Sequence, residues 1–107
     1  MEFMALIYVE ESVADEPGGS DRDAIMARYI AFSKEAREAG VVVSGNELAP
    51  TRNATTVRMR NGIAAVTDGP YAEAKEALGG YFVFDCPTMD EAVAWAARIP
   101  GAEHGAV

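Results

Sequence analysis

Phe3 to Val9 is an unbroken apolar run, with Phe3, Ala5, Ile7 and Val9 on one face of an extended chain and Met4, Leu6 and Tyr8 on the other. A strand that is apolar on both faces is covered on both faces. A polar loop from Glu10 to Gly19 follows, broken by Pro17-Gly18-Gly19. Ile25, Tyr29, Phe32, Ala36 and Ala39 then recur at spacings of four and three, with Met26 and Ile30 widening the stripe, which predicts an amphipathic helix. Ser20 is its expected N-cap, Asp23 suits the positive end of the helix, and Gly40 supplies the residue that ends it.

Val41 to Leu48 predicts a second strand, with Gly45 as a bulge position, and Ala49 to Asn53 a loop. Thr55, Val57 and Met59 alternate with Thr56, Arg58 and Arg60, the pattern of a half-exposed strand. Asn61-Gly62 predicts a tight hairpin, since a type I′ turn needs positive φ at both central residues, and Ile63 to Thr67 is its return strand. The segment Asp68-Gly69-Pro70-Tyr71-Ala72-Glu73-Ala74-Lys75-Glu76 comes next, then Gly79-Gly80 and the aromatic strand Tyr81 to Phe84. Thr88 and Glu91 form a capping box for a second helix with Ala92, Val93, Trp95, Ala96 and Ile99 on its buried side. Pro100-Gly101 ends that helix, and Ala102 to Val107 is expected to begin a last strand.

The order is therefore β-α-β, a hairpin, then β-α-β. With the hairpin treated as an insertion this is an α+β, ferredoxin-like split βαβ plan, with both helices on one face of an antiparallel sheet. Two helices cover only that face, yet the first strand and the aromatic strand carry large apolar residues on both. The simplest cover for the second face is another copy of the chain, so a homodimer packed through the sheet face is expected.

Bulk composition narrows the function classes. The 107 residues predict a single domain over 1–107, and the apolar half of the chain is enough to bury a core. A net charge of −8 with no basic run argues against a nucleic-acid partner and against anionic membrane surfaces. The lone Cys86 forms no intrachain disulfide, no targeting or membrane-spanning run is visible, and a cytoplasmic location is expected. One histidine, His104, and one cysteine make no metal cluster, so neither a metal nor another cofactor is expected. Gly79-Gly80 precedes a strand, not a helix N-terminus, and so makes no phosphate loop.

Thr67 to Glu76, followed by Leu78-Gly79-Gly80-Tyr81, closely resembles the signature of the YCII-related (YciI-like) family. Within that family it is similar to the branch marked by Asp-Gly-Pro-Phe-Ala-Glu-Thr-Lys-Glu. The resemblance extends over the opening strand, Ala39-Gly40 and the strand after it, Ala54 to Arg58, and Glu91-Ala92 through Trp95-Ala96. Tyr71 stands for the motif's Phe and adds a hydroxyl; Ala74 stands for its Thr and removes one, so no role of that Thr is carried over. The resemblance implies a dimeric α+β barrel and no settled activity. Many members of this branch resemble proteins encoded near alternative sigma factors. Some relatives in the broader family look like enzymes using a His-Asp pair; Tyr29 falls at the position of that His and Ile99 at that of the Asp.

Two readings stay open for Asp68. Its carboxylate either accepts nearby backbone N–H groups at the turn before Gly69-Pro70, or stands at a pocket mouth as ligand acceptor or general base. Glu73, Lys75 and Glu76 lie on Ala-rich sequence compatible with one helical turn; they read as a solvated face, or Lys75 neutralises Asp68 or an acidic ligand. Tyr71 reads as a packed aromatic with its hydroxyl at the rim, and Tyr29 as core or cavity lining. The favoured function is a dimer binding a small molecule or regulatory partner through Asp68, Gly69, Pro70, Tyr71, Glu73, Lys75 and Tyr29. The alternative is a lyase- or isomerase-type enzyme acting on a small molecule, with Asp68 as base.

Overall fold

The computed structural model describes residues 1–11 and 19–107, with the side chains of 19–21 left out. The Pro17-Gly18 break and the Ser20 side-chain cap lie outside the described part. In chain order the elements are β1 (Glu2–Glu10), α1 (Gly19–Glu38), β2 (Val42–Glu47), β3 (Thr55–Arg60), β4 (Ile63–Asp68), β5 (Glu76–Asp85) and α2 (Met89–Ala96), with short 3-10 turns at Thr51–Asn53 and Pro100–Glu103. β1, β5 and β2 form an antiparallel sheet in that order, and β3 and β4 form a separate two-stranded ribbon.

The ferredoxin-like α+β plan is present. The expected last strand shrinks to one bridge: Tyr8 N–H donates to Ala106 O at 2.8 Å, and Ala106 N–H to Tyr8 O at 3.0 Å. That bridge sits on the free edge of β1, where the fourth ferredoxin-like strand belongs. The 3-10 turn Pro100–Glu103 takes up the residues that would have lengthened it.

Local chemistry accounts for most boundaries. Asn61 (φ 52°) and Gly62 (φ 76°) make the predicted hairpin turn, and Arg60 pairs with Ile63. At the end of α1, Val41 N–H donates to Ala36 O and Gly40 N–H to Arg37 O, both at 3.0 Å, the double closure of a Schellman motif. Thr88 Oγ1 accepts from Glu91 N–H at 3.2 Å, capping α2 as the sequence predicts. The bulge in β2 falls between Val42 and Ser44, before the expected Gly45. Gly45 is needed for another reason: a Cβ there would stand 2.6 Å from the Phe82 ring.

β5 differs most from expectation. It begins at Glu76, so Glu76, Ala77 and Leu78 pair with Glu10, Val9 and Tyr8, and Gly79 is the extra residue of a bulge opposite Ile7/Tyr8. The helical turn read from the Ala-rich stretch is absent, because ladder hydrogen bonds to β1 claim its second half.

The core lies between the sheet and the helices. Ala5, Ile7, Phe32, Ala36, Val41, Phe84, Cys86, Ala92 and Ile99 are buried, with Phe3, Val9, Tyr29, Phe82, Trp95 and Ala96 packed around them. Phe32 is its centre, meeting Phe82 (ring centroids 5.3 Å), Trp95 (6.3 Å) and Phe84 (6.4 Å) edge to face. Ile25, Met26, Ile30 and Val93, expected in the buried stripes, are exposed, so both stripes are narrower than their spacing predicts. On the other face of the sheet Met4 is 61 % exposed, Tyr8 is exposed, and Leu6, Tyr81 and Val83 are half-buried. No helix among the described residues covers that face. Among the described residues no helix is long and apolar enough to cross a membrane.

Candidate functional site

The motif segment sits at the foot of the ribbon. Asp68 is the last residue of β4, opposite Thr55, and seven residues, Gly69 to Lys75, connect it to β5. The loop is pinned at its start: Gly69 N–H donates to Ala54 O at 2.8 Å, and Thr56 Oγ1 donates to Gly69 O at 2.9 Å. Gly69 has φ +99°, a conformation that side chains disfavour, which explains a glycine after Asp68. The turn role read for the Asp68 carboxylate is filled by Ala54 and Thr56 instead. The Asp68 side chain is exposed and makes no hydrogen bond or ion pair among the described residues.

Tyr71 does not pack. It is 79 % exposed, and its neighbour is Arg58 of β3, whose guanidinium carbon lies 5.4 Å from the ring centroid, within cation–π range. Glu73 and Lys75 are exposed, and Lys75 pairs with neither Asp68 nor Glu73. Pro70 is half-buried and directs the chain out of the ribbon. Within one chain, then, the segment is a solvent-facing set of polar groups fixed at its start by Gly69. A general base at Asp68 needs an adjoining cavity that excludes water, and neither surface depression described below adjoins it.

Tyr29 stands elsewhere, on α1 against the helix-covered side of the sheet. Its hydroxyl packs beside Gly101 so closely that a Cβ on Gly101 would stand 2.7 Å from the oxygen and 2.8 Å from Ile7 Cγ2. Burial pushes the Tyr29 phenol above its ordinary value of 10.0, with the Gly101 backbone hydrogen bond acting the other way and the Glu47 charge adding to the rise. No hydrogen bond or ion pair joins Tyr29 to the Asp68 segment. Ile99 is fully buried.

Sequence reasoning missed the charged pairs that tie the helices to the chain's end. Arg28 of α1 makes a two-pronged pair with Glu103, its Nη1 2.9 Å from Oε2, and Arg98 pairs with Glu35 while lying 4.6 Å over the Trp95 ring. The Arg28 guanidinium holds the Glu103 carboxyl below the usual range. These pairs border a shallow depression of about 230 Å³ lined by Arg28, Ala31, Phe32, Glu35, Arg98 and Pro100. A second, more apolar one of about 200 Å³ lies between Val93, Ala96, Ala97, Ala102 and Val107. Glu11, at the end of β1, accepts from Thr51 N–H (2.7 Å) and Thr51 Oγ1 (2.6 Å), clamping the turn that leads into the ribbon. Partners 40 to 75 residues apart leave no mark in local pattern.

His104 is exposed and 4.0 Å from Glu103, and Cys86 is buried with Sγ 3.6 Å from Thr88 O. No group of three or more His, Cys, Asp or Glu is placed to hold a metal ion among the described residues.

The model of the YCII-related domain matches residues 1–107. An uncharacterised protein of Rhizobium meliloti (strain 1021) is 34 % identical over 102 residues, which cover 95 % of this chain and 82 % of that protein.

Proposed function

The chain belongs to the YCII-related family, and from that premise we propose a homodimeric binding protein whose Asp68 to Glu76 segment receives a small molecule. One observation carries the reading. Asp68, Glu73 and Lys75 are held on a loop pinned at Gly69 by two hydrogen bonds, yet their charged groups are left unused within the chain. A loop fixed at its start, with donors and acceptors unspent, is prepared for an external partner. Arg58 against Tyr71 adds a cation and an aromatic face to the same rim.

Dimerisation through the sheet supports the reading from the other side. Met4, Leu6, Tyr8, Tyr81 and Val83 make the apolar middle of a face whose carboxylates, Glu2 with Asp85 and Glu10 with Glu76, lie at its two ends. Two such faces brought together bury the apolar middle and leave those end carboxylates at the rim. The second copy would also supply walls that a single chain does not offer the segment.

Thermal unfolding in the presence of a panel of small carboxylic acids, amines and aromatic alcohols tests the site, comparing wild type with Asp68→Asn. A compound that raises the wild-type Tm and loses its effect in Asp68→Asn is the expected result. Shifts of equal size in both proteins would move the binding site away from Asp68 and overturn the assignment.

A further inference from the structure

The β3–β4 ribbon is the part of the chain that its own fold does not explain. Val57, Met59, Ile63 and Val66 are 58 to 71 % exposed, and every residue from Val57 to Asp68 is exposed. An isolated two-stranded hairpin is at best marginally stable in water. This one has regular pairing from Thr55–Asp68 to Arg60–Ile63, but only its base is tied down, through Gly69 and the Glu11–Thr51 clamp.

Its two faces differ. Val57, Met59, Ala64 and Val66 form an apolar stripe on one face, with Thr55 and Asp68 at its foot; Thr56, Arg58, Arg60, Ile63, Ala65 and Thr67 lie on the other. No acidic residue occurs between Thr51 and Thr67, while Arg52, Arg58 and Arg60 do. The ribbon itself, Thr55 to Asp68, holds Arg58, Arg60 and one acid, Asp68 at its foot, a net +1, so a chain of net charge −8 has −9 on everything else. Neither Arg58 nor Arg60 meets a carboxylate: Arg58 lies over Tyr71, and Arg60 Nη1 donates to Met59 O at 2.9 Å.

We infer that the ribbon is an arm that packs on a second copy of this chain, its Val57–Met59–Val66 stripe covering apolar surface there. This rests on the homodimer proposed above and extends it: the sheet face is not the whole interface. Charge complementarity selects the occupant, because a basic arm on a strongly acidic body is attracted to another copy of that same body. Area agrees with it. The exposed apolar side chains of the arm add to those of the sheet face toward the roughly 800 Å² per partner that stable interfaces bury. A two-fold arrangement buries both arms at once. It also brings the foot of each arm, and with it Asp68, close to the partner.

Sedimentation equilibrium over a dilution series, on wild type, Met59→Asp and Arg58→Glu/Arg60→Glu, tests the arm, with hydrogen exchange of wild-type residues 55 to 68 as a second readout. Met59 touches no core residue, so the Asp variant is expected to keep the wild-type far-UV circular dichroism while weakening the dimer at least tenfold. The double Glu variant is expected to weaken it by less, with an effect that shrinks as salt is raised. Arm amides of the wild type should exchange more slowly as concentration rises. A dimer unchanged by Met59→Asp, with arm exchange independent of concentration, would overturn the arm and leave the sheet-face dimer standing. A wild type monomeric at every concentration would overturn both.

Discussion

The helix-covered core rests on a sheet with two bulges and the β3–β4 ribbon on unbroken pairing, yet the first is explained by its own chain and the second is not. In the core, Phe84 is 1 % exposed and shares the Phe32 aromatic cluster with Phe82 and Trp95. In the ribbon, Val66 pairs with Val57 as faithfully as any core residue pairs, and remains 65 % exposed. Hydrogen-bond register and burial are thus separate achievements. The first needs only two strands and a turn, whereas the second needs a surface to close against. The Asp68 to Glu76 segment is attached to the region that lacks such a surface.

That contrast is open to direct attack. The largest effect belongs to the core: Phe84→Ala should cost about 3–5 kcal/mol in urea unfolding, while Val66→Thr should stay within about 0.5 kcal/mol at dilutions where single chains prevail. Equal losses at the two positions would erase the distinction. Gly101→Ala should follow at about 1–3 kcal/mol, because the added Cβ would press on the Tyr29 oxygen and Ile7 Cγ2, both held in a packed interior. Tm measured in Gly101→Ala combined with Tyr29→Phe should recover part of that loss, since removing the hydroxyl relieves one of the two clashes.

The smallest effect is a pH dependence. Burial raises the Tyr29 pKa in the folded chain, so the neutral phenol is the favoured form. Its contribution is fully present below the unfolded value near 10.0 and is lost as pH rises through the folded value. Wild type should therefore lose stability at alkaline pH more steeply than Tyr29→Phe. Parallel pH profiles would mean that the hydroxyl is solvated in the folded protein.

Local chemistry was the legible part of this fold. The Thr88 cap, the Asn61-Gly62 turn and the Gly40 terminus each depend on a few neighbouring residues, and each forms as the sequence predicts. Illegible features depend on a distant partner. Glu76 to Leu78 look helical by composition and become strand because β1 offers them a ladder. Val93 fits the buried stripe of α2 by spacing but is exposed beside Ala102 and Val107. The motif was visible as a unit, whereas its internal division of labour was not. Asp68 was the natural turn former, yet the hydroxyl of Thr56, supplied by the paired strand, holds the turn and leaves the carboxylate unused.

Whether the uncovered sheet face and the exposed ribbon are interface surfaces is the centre of this account. Light scattering or sedimentation of the wild type at micromolar concentration tests it most directly. A particle of twice the chain mass, dissociating on dilution, is predicted; a stable monomer across that range would contradict it.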